Sequence, residues 1–331
     1  MIWLTWRQHR AVLAVSAAVV VAFVVWMLIV EHDYSGAARA IAKSCTPGQF
    51  YSQNSPCTAH YSAETSAWLQ ADVIRWVLLA LPLLFGVLLG APLFAGEFER
   101  KTVILAFIQN ISRTRWMVIR WLVIGLVVAI LSVALAAVSN WWFLHVPTNG
   151  SSFGSRIQPG GFDVTGIVPA AYALFAFALG AALGMILRRT ARAIFGTVVL
   201  FTAARILFEH YVRRQLAAPV FSQAQNNLNQ GFSYDVSADS WNVGTGPAYR
   251  VVPGSAHPTS QAYINHIMNV CGQPFGVNWT GCLSKRGVQI GVLVQPASHF
   301  WALQWGEAGS FVAAAAFLFG LALWSVRRWR A

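Results

Sequence analysis

The chain has 331 residues, of which 56% are hydrophobic and only 10% are charged, and its formal net charge is +12 at pH 7. Soluble globular domains carry about 25% charged residues, so this composition excludes a soluble fold as well as the disordered and fibrous classes. Uncharged runs close to about 20 residues recur along the chain, which is typical of a polytopic membrane protein.

Six segments are long and apolar enough to cross a membrane, because about 20 helical residues span a hydrocarbon core of about 30 Å. Four of them contain no Asp, Glu, Lys or Arg, whereas the core of the fifth, residues 193–208, contains Arg205 and the sixth contains Glu307. We therefore predict a single all-α transmembrane domain over residues 1–331. The predicted spans, in chain order, are residues 11–30, 76–96, 121–144, 164–187, 193–211 and 299–326.

Lys and Arg are concentrated in alternate connections between these spans. The dense set comprises residues 1–10, 97–120, 188–192 and 327–331, with 13 basic residues in 44 positions; the sparse set comprises residues 31–75, 145–163 and 209–298, with nine in 154. Basic residues favour the cytoplasmic side, so both termini are predicted to be cytoplasmic. The positive charge is thus a topology signal, and we expect contacts with membrane lipids and none with nucleic acid.

All four cysteines fall in the predicted extracytoplasmic segments, 31–75 and 212–298. Such segments meet an oxidising environment, which favours disulfides. Four cysteines permit three disulfide connectivities. We predict the one in which each cysteine pairs with its neighbour in the sequence; free thiols are the alternative. Metal binding is disfavoured because neither pair has Cys-x-x-Cys spacing. The predicted pairs are Cys45–Cys57 and Cys271–Cys282.

The large segment between the fifth and sixth spans ends in the apolar run 287–298. This run is too short to cross a membrane, and we predict a re-entrant or interfacial element before the last span.

Two charged residues inside the predicted spans lie at similar depths. Arg205 follows Ala193 by 12 residues, and Glu307 follows His299 by eight. A lone charge in hydrocarbon is costly, so we predict that these two pair, within one chain or across a dimer. The alternative is that both side chains reach the outer head groups or water.

The sequence contains no G-x-x-x-x-G-K-[ST] phosphate-binding loop, no H-E-x-x-H and no G-x-S-x-G. The histidines are scattered without the spacing of metal ligands. We therefore predict no catalytic residue and no metal site, and no bound cofactor in this chain.

The predicted cytoplasmic connection 97–116 begins with acidic and basic residues, continues with the apolar run 103–108 and ends in Arg113, Arg115 and Trp116. This pattern favours a short helix on the membrane surface with one face available to a cytoplasmic partner. A solvated loop is the alternative.

Three motifs carry a resemblance to a known family: WLTWRQHR at 3–10, GAPLFAGEFERKT with Q-x-x-S-R-x-R-W over 90–116, and QPASHFWALQW-x-E at 295–307. With six spans, the chain resembles the permease subunits of ABC transporters of the ABC-2 (exporter) type, in particular an actinobacterial group. The resemblance covers essentially the whole chain.

The resemblance implies a cell-membrane exporter of an amphipathic cargo, such as a drug, lipid or peptide. It implies a dimer with a second permease copy and two cytoplasmic ATPase subunits, which bind the ATP and Mg. Lys101 and the apolar run 103–108 depart from the commoner family pattern, which leaves the docking register open. The ATPase-coupling residues implied are Glu97, Phe98, Glu99 and Thr102 at the start of the segment and Gln109, Ser112, Arg113, Arg115 and Trp116 at its end.

Two other functions fit the composition. One is a membrane-embedded enzyme that uses Asp235, Asp239 or His257 of the outer segment. The other is a non-transporting anchor or sensor for a cytoplasmic partner.

Overall fold

The structure is a computed structural model, and it describes most of the chain. The described residues are 2–45, 57–100, 112–146, 154–227, 231–234, 240–244, 248–251, 260–271 and 279–328.

Six helical segments of the described chain are long and apolar enough to cross a membrane, which confirms the predicted number of spans. The second and fifth segments each include one π-helical turn. The helices are α1 (Ile2–Ser44), α2 (Cys57–Phe85), a π turn (Gly86–Gly90), α3 (Ala91–Glu99), α4 (Arg113–His145), the short α5 (Pro159–Val164), α6 (Val168–Leu187), α7 (Thr190–Leu207) with a π turn (Phe208–Val212) and a 3-10 turn (Arg213–Gln215), and α10 (Phe300–Arg328) after a 3-10 turn (Ala297–His299).

Helix α6 is the centre of the bundle and contacts α2, α3, α4, α7 and α10. Two glycines of the π turn in the second span allow its backbone to approach α6 closely. A Cβ added at Gly86 would lie 2.6 Å from the carbonyl oxygen of Ala176, and one added at Gly90 would lie 2.6 Å from that of Phe177. The π turn of the second span is therefore seated directly on α6.

One end of the bundle contains the first part of α1, the last part of α10 and the two sides of the connection 97–116. A single hydrophobic cluster joins Leu13 of α1, Phe94 of α3, Trp116 of α4, Met185 of α6 and Val326 of α10. We call this end the basic end, because exposed arginines surround it. The opposite end, from which the chain leaves α7 toward residues 220–296, is the sheet end.

The predicted loop 31–75 is helical on both sides of the undescribed residues 46–56, because α1 and α2 continue far past the apolar runs. The two helices pack together through Met27, Val30, Ala71 and Ile74. A helix that packs against a neighbour needs only one apolar face. The polar residues on the other faces of α1 and α2 are therefore compatible with helix in 31–75. The predicted Cys45–Cys57 pair is at disulfide distance, with Cα atoms 5.8 Å apart.

A five-stranded antiparallel sheet between α7 and α10 corrects the all-α prediction, although the chain is mostly helical. Strand β5 pairs with β1 along one edge and with β3 and β4 along the other, and β2 extends the sheet beyond β1. The strands are β1 (Val220–Asn227), β2 (Gly231–Tyr234), β3 (Ser240–Asn242), β4 (Ala248–Val251) and β5 (Val288–Pro296).

The apolar run 287–298 forms β5 and is not a re-entrant element. Val288, Val292 and Val294 are buried, and a β-branched run of this length suits a central strand with partners on both edges. Two short helices, α8 (Gln261–Cys271) and α9 (Trp279–Lys285), pack beside it. They carry the second predicted cysteine pair, Cys271–Cys282, whose Cα atoms are 5.7 Å apart.

Candidate functional site

The two sides of the connection 97–116 meet at the basic end. Glu97, Phe98 and Glu99 form the last turn of α3, and Ser112 immediately precedes the first turn of α4. The predicted coupling residues Arg113, Arg115 and Trp116 lie in that first turn of α4. The predicted coupling residues Thr102 and Gln109 lie outside the described residues.

An aromatic contact joins these two sides. The ring of Trp116 is buried, and it meets the ring of Phe94 edge to face with centroids 5.4 Å apart. The guanidinium of Arg120, one turn further along α4, lies 5.2 Å from the Trp116 ring. The two ends of the connection are therefore held together where α3 packs against the first turns of α4.

Glu97 forms an ion pair with Arg120. Both side chains are largely shielded from water, with 15% of the Glu97 side chain and 6% of the Arg120 side chain exposed. The sequence indicated Arg120 only as one of several basic residues near the membrane. Its spacing of four residues from Trp116 was the signal that could have placed it on the same helix face.

Glu99 binds the N-terminus of α7. Its carboxylate accepts a hydrogen bond from the backbone N–H of Thr190 at 2.9 Å and another from the Thr190 hydroxyl at 2.8 Å. The first N–H groups of a helix have no partner within the helix, and their partial positive charge favours an anion. Glu99 thus caps a helix that begins 91 residues further along the chain.

A second polar site, the buried charge cluster, lies toward the sheet end. It joins four helices of the bundle, because its members come from the end of α5, from α6, from α7 and the turn after it, and from α10. The members are Asp163, Tyr172, Arg205, Arg213 and Glu307.

Arg213 is the centre of this cluster. Its Nε donates to Glu307 at 2.7 Å, and its Nη2 donates to the other Glu307 oxygen at 2.8 Å and to the Tyr172 hydroxyl at 3.0 Å. Arg213 also pairs with Asp163, and the Tyr172 hydroxyl donates to Glu307. Arg205 completes the cluster by donating to Asp163 at 2.6 Å.

Within one chain, Arg205 and Glu307 do not pair directly; each binds other members of the cluster. Arg205 binds Asp163 and the Leu79 carbonyl oxygen, whereas Glu307 binds Arg213 and Tyr172. The two predicted charges therefore lie in one network but are bridged by Asp163 and Arg213. Because both are bound inside the protein, the alternative of side chains that reach outer head groups does not describe them either.

Gln304 fixes the position of the cluster by binding the turn between α5 and α6. Its Oε1 accepts hydrogen bonds from the N–H groups of Ile167 and Val168 at 2.9 and 3.0 Å. Its Nε2 donates to the Phe162 carbonyl at 3.2 Å and to the Thr165 carbonyl at 3.1 Å. Gln304 lies one helical turn before Glu307, so it holds α10 in the register that the cluster needs.

The candidate enzyme residues Asp235, Asp239 and His257 lie outside the described residues. Within the described part of the chain, no group of three or more His, Cys, Asp or Glu residues is placed to hold a metal ion.

Comparison with protein families matches the chain to the family described as ABC-2 membrane transporter related, over residues 17–213. The matched region includes the second, third and fourth membrane-spanning helices and most of the first and fifth. It also includes both sides of the connection 97–116, and it stops before the sheet. Comparisons with curated proteins and with solved structures find no match.

Proposed function

Because the chain belongs to the ABC-2 membrane transporter related family and is a multi-pass membrane protein, we propose that it is the permease subunit of an ATP-driven exporter in the cell membrane. The family implies an ABC ATPase subunit as partner. In our proposal two such subunits bind the ATP and Mg, and a second permease copy completes a homodimer. The actinobacterial grouping stays a prediction from the sequence motifs.

The observation that carries this proposal is the match of the family across the connection 97–116 and the spans around it. The basic end fits a cytoplasmic face, because basic residues next to spans favour that side. Arg100, Arg113, Arg188, Arg189, Arg327 and Arg328 all lie there. An ATPase at this face would meet the connection 97–116 where it leaves the bundle.

In this mechanism the connection 97–116 transmits a displacement from the ATPase to the membrane-spanning helices. No covalent chemistry takes place in this chain. ATP binding and hydrolysis in the partner would displace the connection, and α3 and α4 would follow, because Phe94 and Trp116 pack against each other. The permease dimer would then alternate between inward-open and outward-open states. The cargo would pass between the two copies among apolar and aromatic side chains, which suit an amphipathic molecule.

Purification of the intact chain from its native membrane tests the proposal. We expect an ABC ATPase to co-purify and its vanadate-sensitive ATP hydrolysis to depend on the presence of this chain. A chain that binds an ATPase without changing its turnover would be an anchor, and a chain that brings down no ATPase would not be a permease subunit of this kind. Either outcome contradicts the proposed exporter.

A further inference from the structure

The last turn of α3 holds the turn between α6 and α7. Beside the Glu99–Thr190 contact, the guanidinium of Arg188 lies 5.4 Å from the ring of Phe98. Arg188 has φ +51°, a left-handed conformation that residues other than glycine seldom adopt. Phe98 and Glu99 therefore contact a turn between α6 and α7 whose backbone conformation is already restricted.

Between the Glu99 contact and the buried charge cluster, helix α7 is held by a narrow stripe of buried residues. Its buried residues are Ala193, Thr197 and Phe201, which are spaced four residues apart and lie on one face. Among the 18 consecutive residues that form the most apolar part of this span, 17% are buried inside the protein, compared with 78% for α6. A helix held by one stripe of this kind can shift as a rigid body against α6.

The far end of the same span carries both arginines of the buried charge cluster, Arg205 and Arg213. The span Thr190–Gln215 has 26 residues, so its ends are roughly 40 Å apart at the helical rise. Helix α7 with its following turns thus connects the Glu99 contact at the basic end to the cluster toward the sheet end.

Glu97 and Glu99 act on different helices. Residues two positions apart in a helix do not share a face, and accordingly Glu97 binds Arg120 of α4 while Glu99 binds Thr190 of α7. The Glu97–Arg120 pair is shielded from water, whereas the Glu99 contact is exposed. Water can replace Thr190 as the donor to Glu99, so this contact can break and re-form during a cycle.

We propose that Glu99 is the positioning residue through which displacement of the connection 97–116 reaches α7, and that α7 then moves as a rod and carries Arg205 and Arg213 with it. Glu97 keeps the connection attached to α4. This inference rests on the proposed function, because the displacement comes from a partner ATPase.

The test follows the sheet end of α7 in the complete permease–ATPase complex in lipid nanodiscs. Spin labels on Tyr211→Cys, in the π turn after α7, and on Trp76→Cys of α2 report the distance between the two spans; both positions are exposed. The four native cysteines are paired and do not take the label. The distance is measured before and after addition of ATP with vanadate, which traps nucleotide in the ATPase.

We expect the labelled but otherwise unaltered complex to show a shift in this distance on trapping. Glu99→Ala should lose the shift while it keeps the same amount of bound ATPase and trapped nucleotide. Thr190→Ser, which retains both donors to Glu99, should keep the shift. Asp33→Ala, which removes an exposed carboxylate of α1, is the matched control and should also keep it.

Three results would overturn the inference: a shift that survives Glu99→Ala, a loss of ATPase binding in that variant, or no shift in the complex without these substitutions despite trapped nucleotide. The first shows that Glu99 is not the coupling residue, the second makes it a docking residue, and the third shows that α7 does not move. All three leave the proposed exporter intact. Absence of any bound ATPase in the unaltered complex would instead overturn both the inference and the proposed function.

Discussion

Arg213 binds three members of the buried charge cluster at once: Asp163, Tyr172 and Glu307. The cluster contains two guanidinium groups and two carboxylates, so its formal charges cancel. Burying such groups is costly, but removing one partner is costlier, since it leaves an opposite charge buried without compensation.

Replacing Arg213 by glutamine should therefore destabilise the fold strongly. The expected loss is about 3–5 kcal/mol in the free energy of unfolding, because Glu307 and Asp163 lose their shared cation. Chemical unfolding in mixed micelles measures this change. The control is Arg192→Gln, an exposed position of α7, which should stay within about 0.5 kcal/mol of the wild type.

A paired substitution distinguishes charge balance from simple loss of packing. In Arg213→Met with Glu307→Leu, one cation and one anion leave together, and the Arg205–Asp163 pair at 2.6 Å remains. The double variant should be more stable than the sum of the two single losses predicts, by about 0.5–3 kcal/mol. Strictly additive losses, measured by the same unfolding experiment, would show that the cluster does not act as a unit.

At this scale the sequence predicted only part of the site. Arg205 and Glu307 were visible because each interrupts an uncharged run. Asp163 and Arg213 lie just past the ends of such runs, where a charged residue is ordinary, and Tyr172 carries no charge. The pairing among these residues depends on the packing of α5, α6, α7 and α10, which hydropathy does not report.

At the scale of elements, the π turn Gly86–Gly90 determines how closely the second span approaches α6. Gly86→Ala would place a methyl group 2.6 Å from a backbone oxygen of α6, which cannot move as a side chain can. Such overpacking should cost about 1–3 kcal/mol in the free energy of unfolding.

Gly309→Ala on α10 is the matched control, because an added Cβ there meets nothing within 4 Å. Alanine favours a helix over glycine, so this variant should be as stable as the wild type or more stable by up to about 1 kcal/mol. Equal effects of the two substitutions on thermal unfolding in micelles would contradict the close contact at Gly86.

The sequence predicted the helices far better than the strands. A membrane span is a local property of about 20 residues, so all six were found. Strand β5 is a short apolar run, and its partners β1, β3 and β4 lie well before it in the chain. Such runs do not distinguish a buried strand from other short apolar elements, and the pairing that decides the matter is non-local.

At the scale of the whole molecule, the structure brings the two sides of the connection 97–116 to the same end as Leu13 of α1 and Val326 of α10. Helix α7 links this end to the buried charge cluster. A partner that moves the connection would therefore act on the bundle through α3, α4 and α7. In the proposed exporter, this arrangement would place the contact with the ATPase at one end of the bundle and the network of buried charges toward the other.

In the proposed exporter the basic end faces the cytoplasm, where an ATPase can reach the connection 97–116. Labelling of single cysteines in intact cells with a membrane-impermeant maleimide tests it most directly. Arg100→Cys follows α3 at the basic end, and Asp33→Cys lies on the far extension of α1; both positions are exposed. We predict that Asp33→Cys is labelled from outside and that Arg100→Cys reacts only after the cells are opened. Labelling of Arg100→Cys in intact cells, with Asp33→Cys protected, would contradict the account.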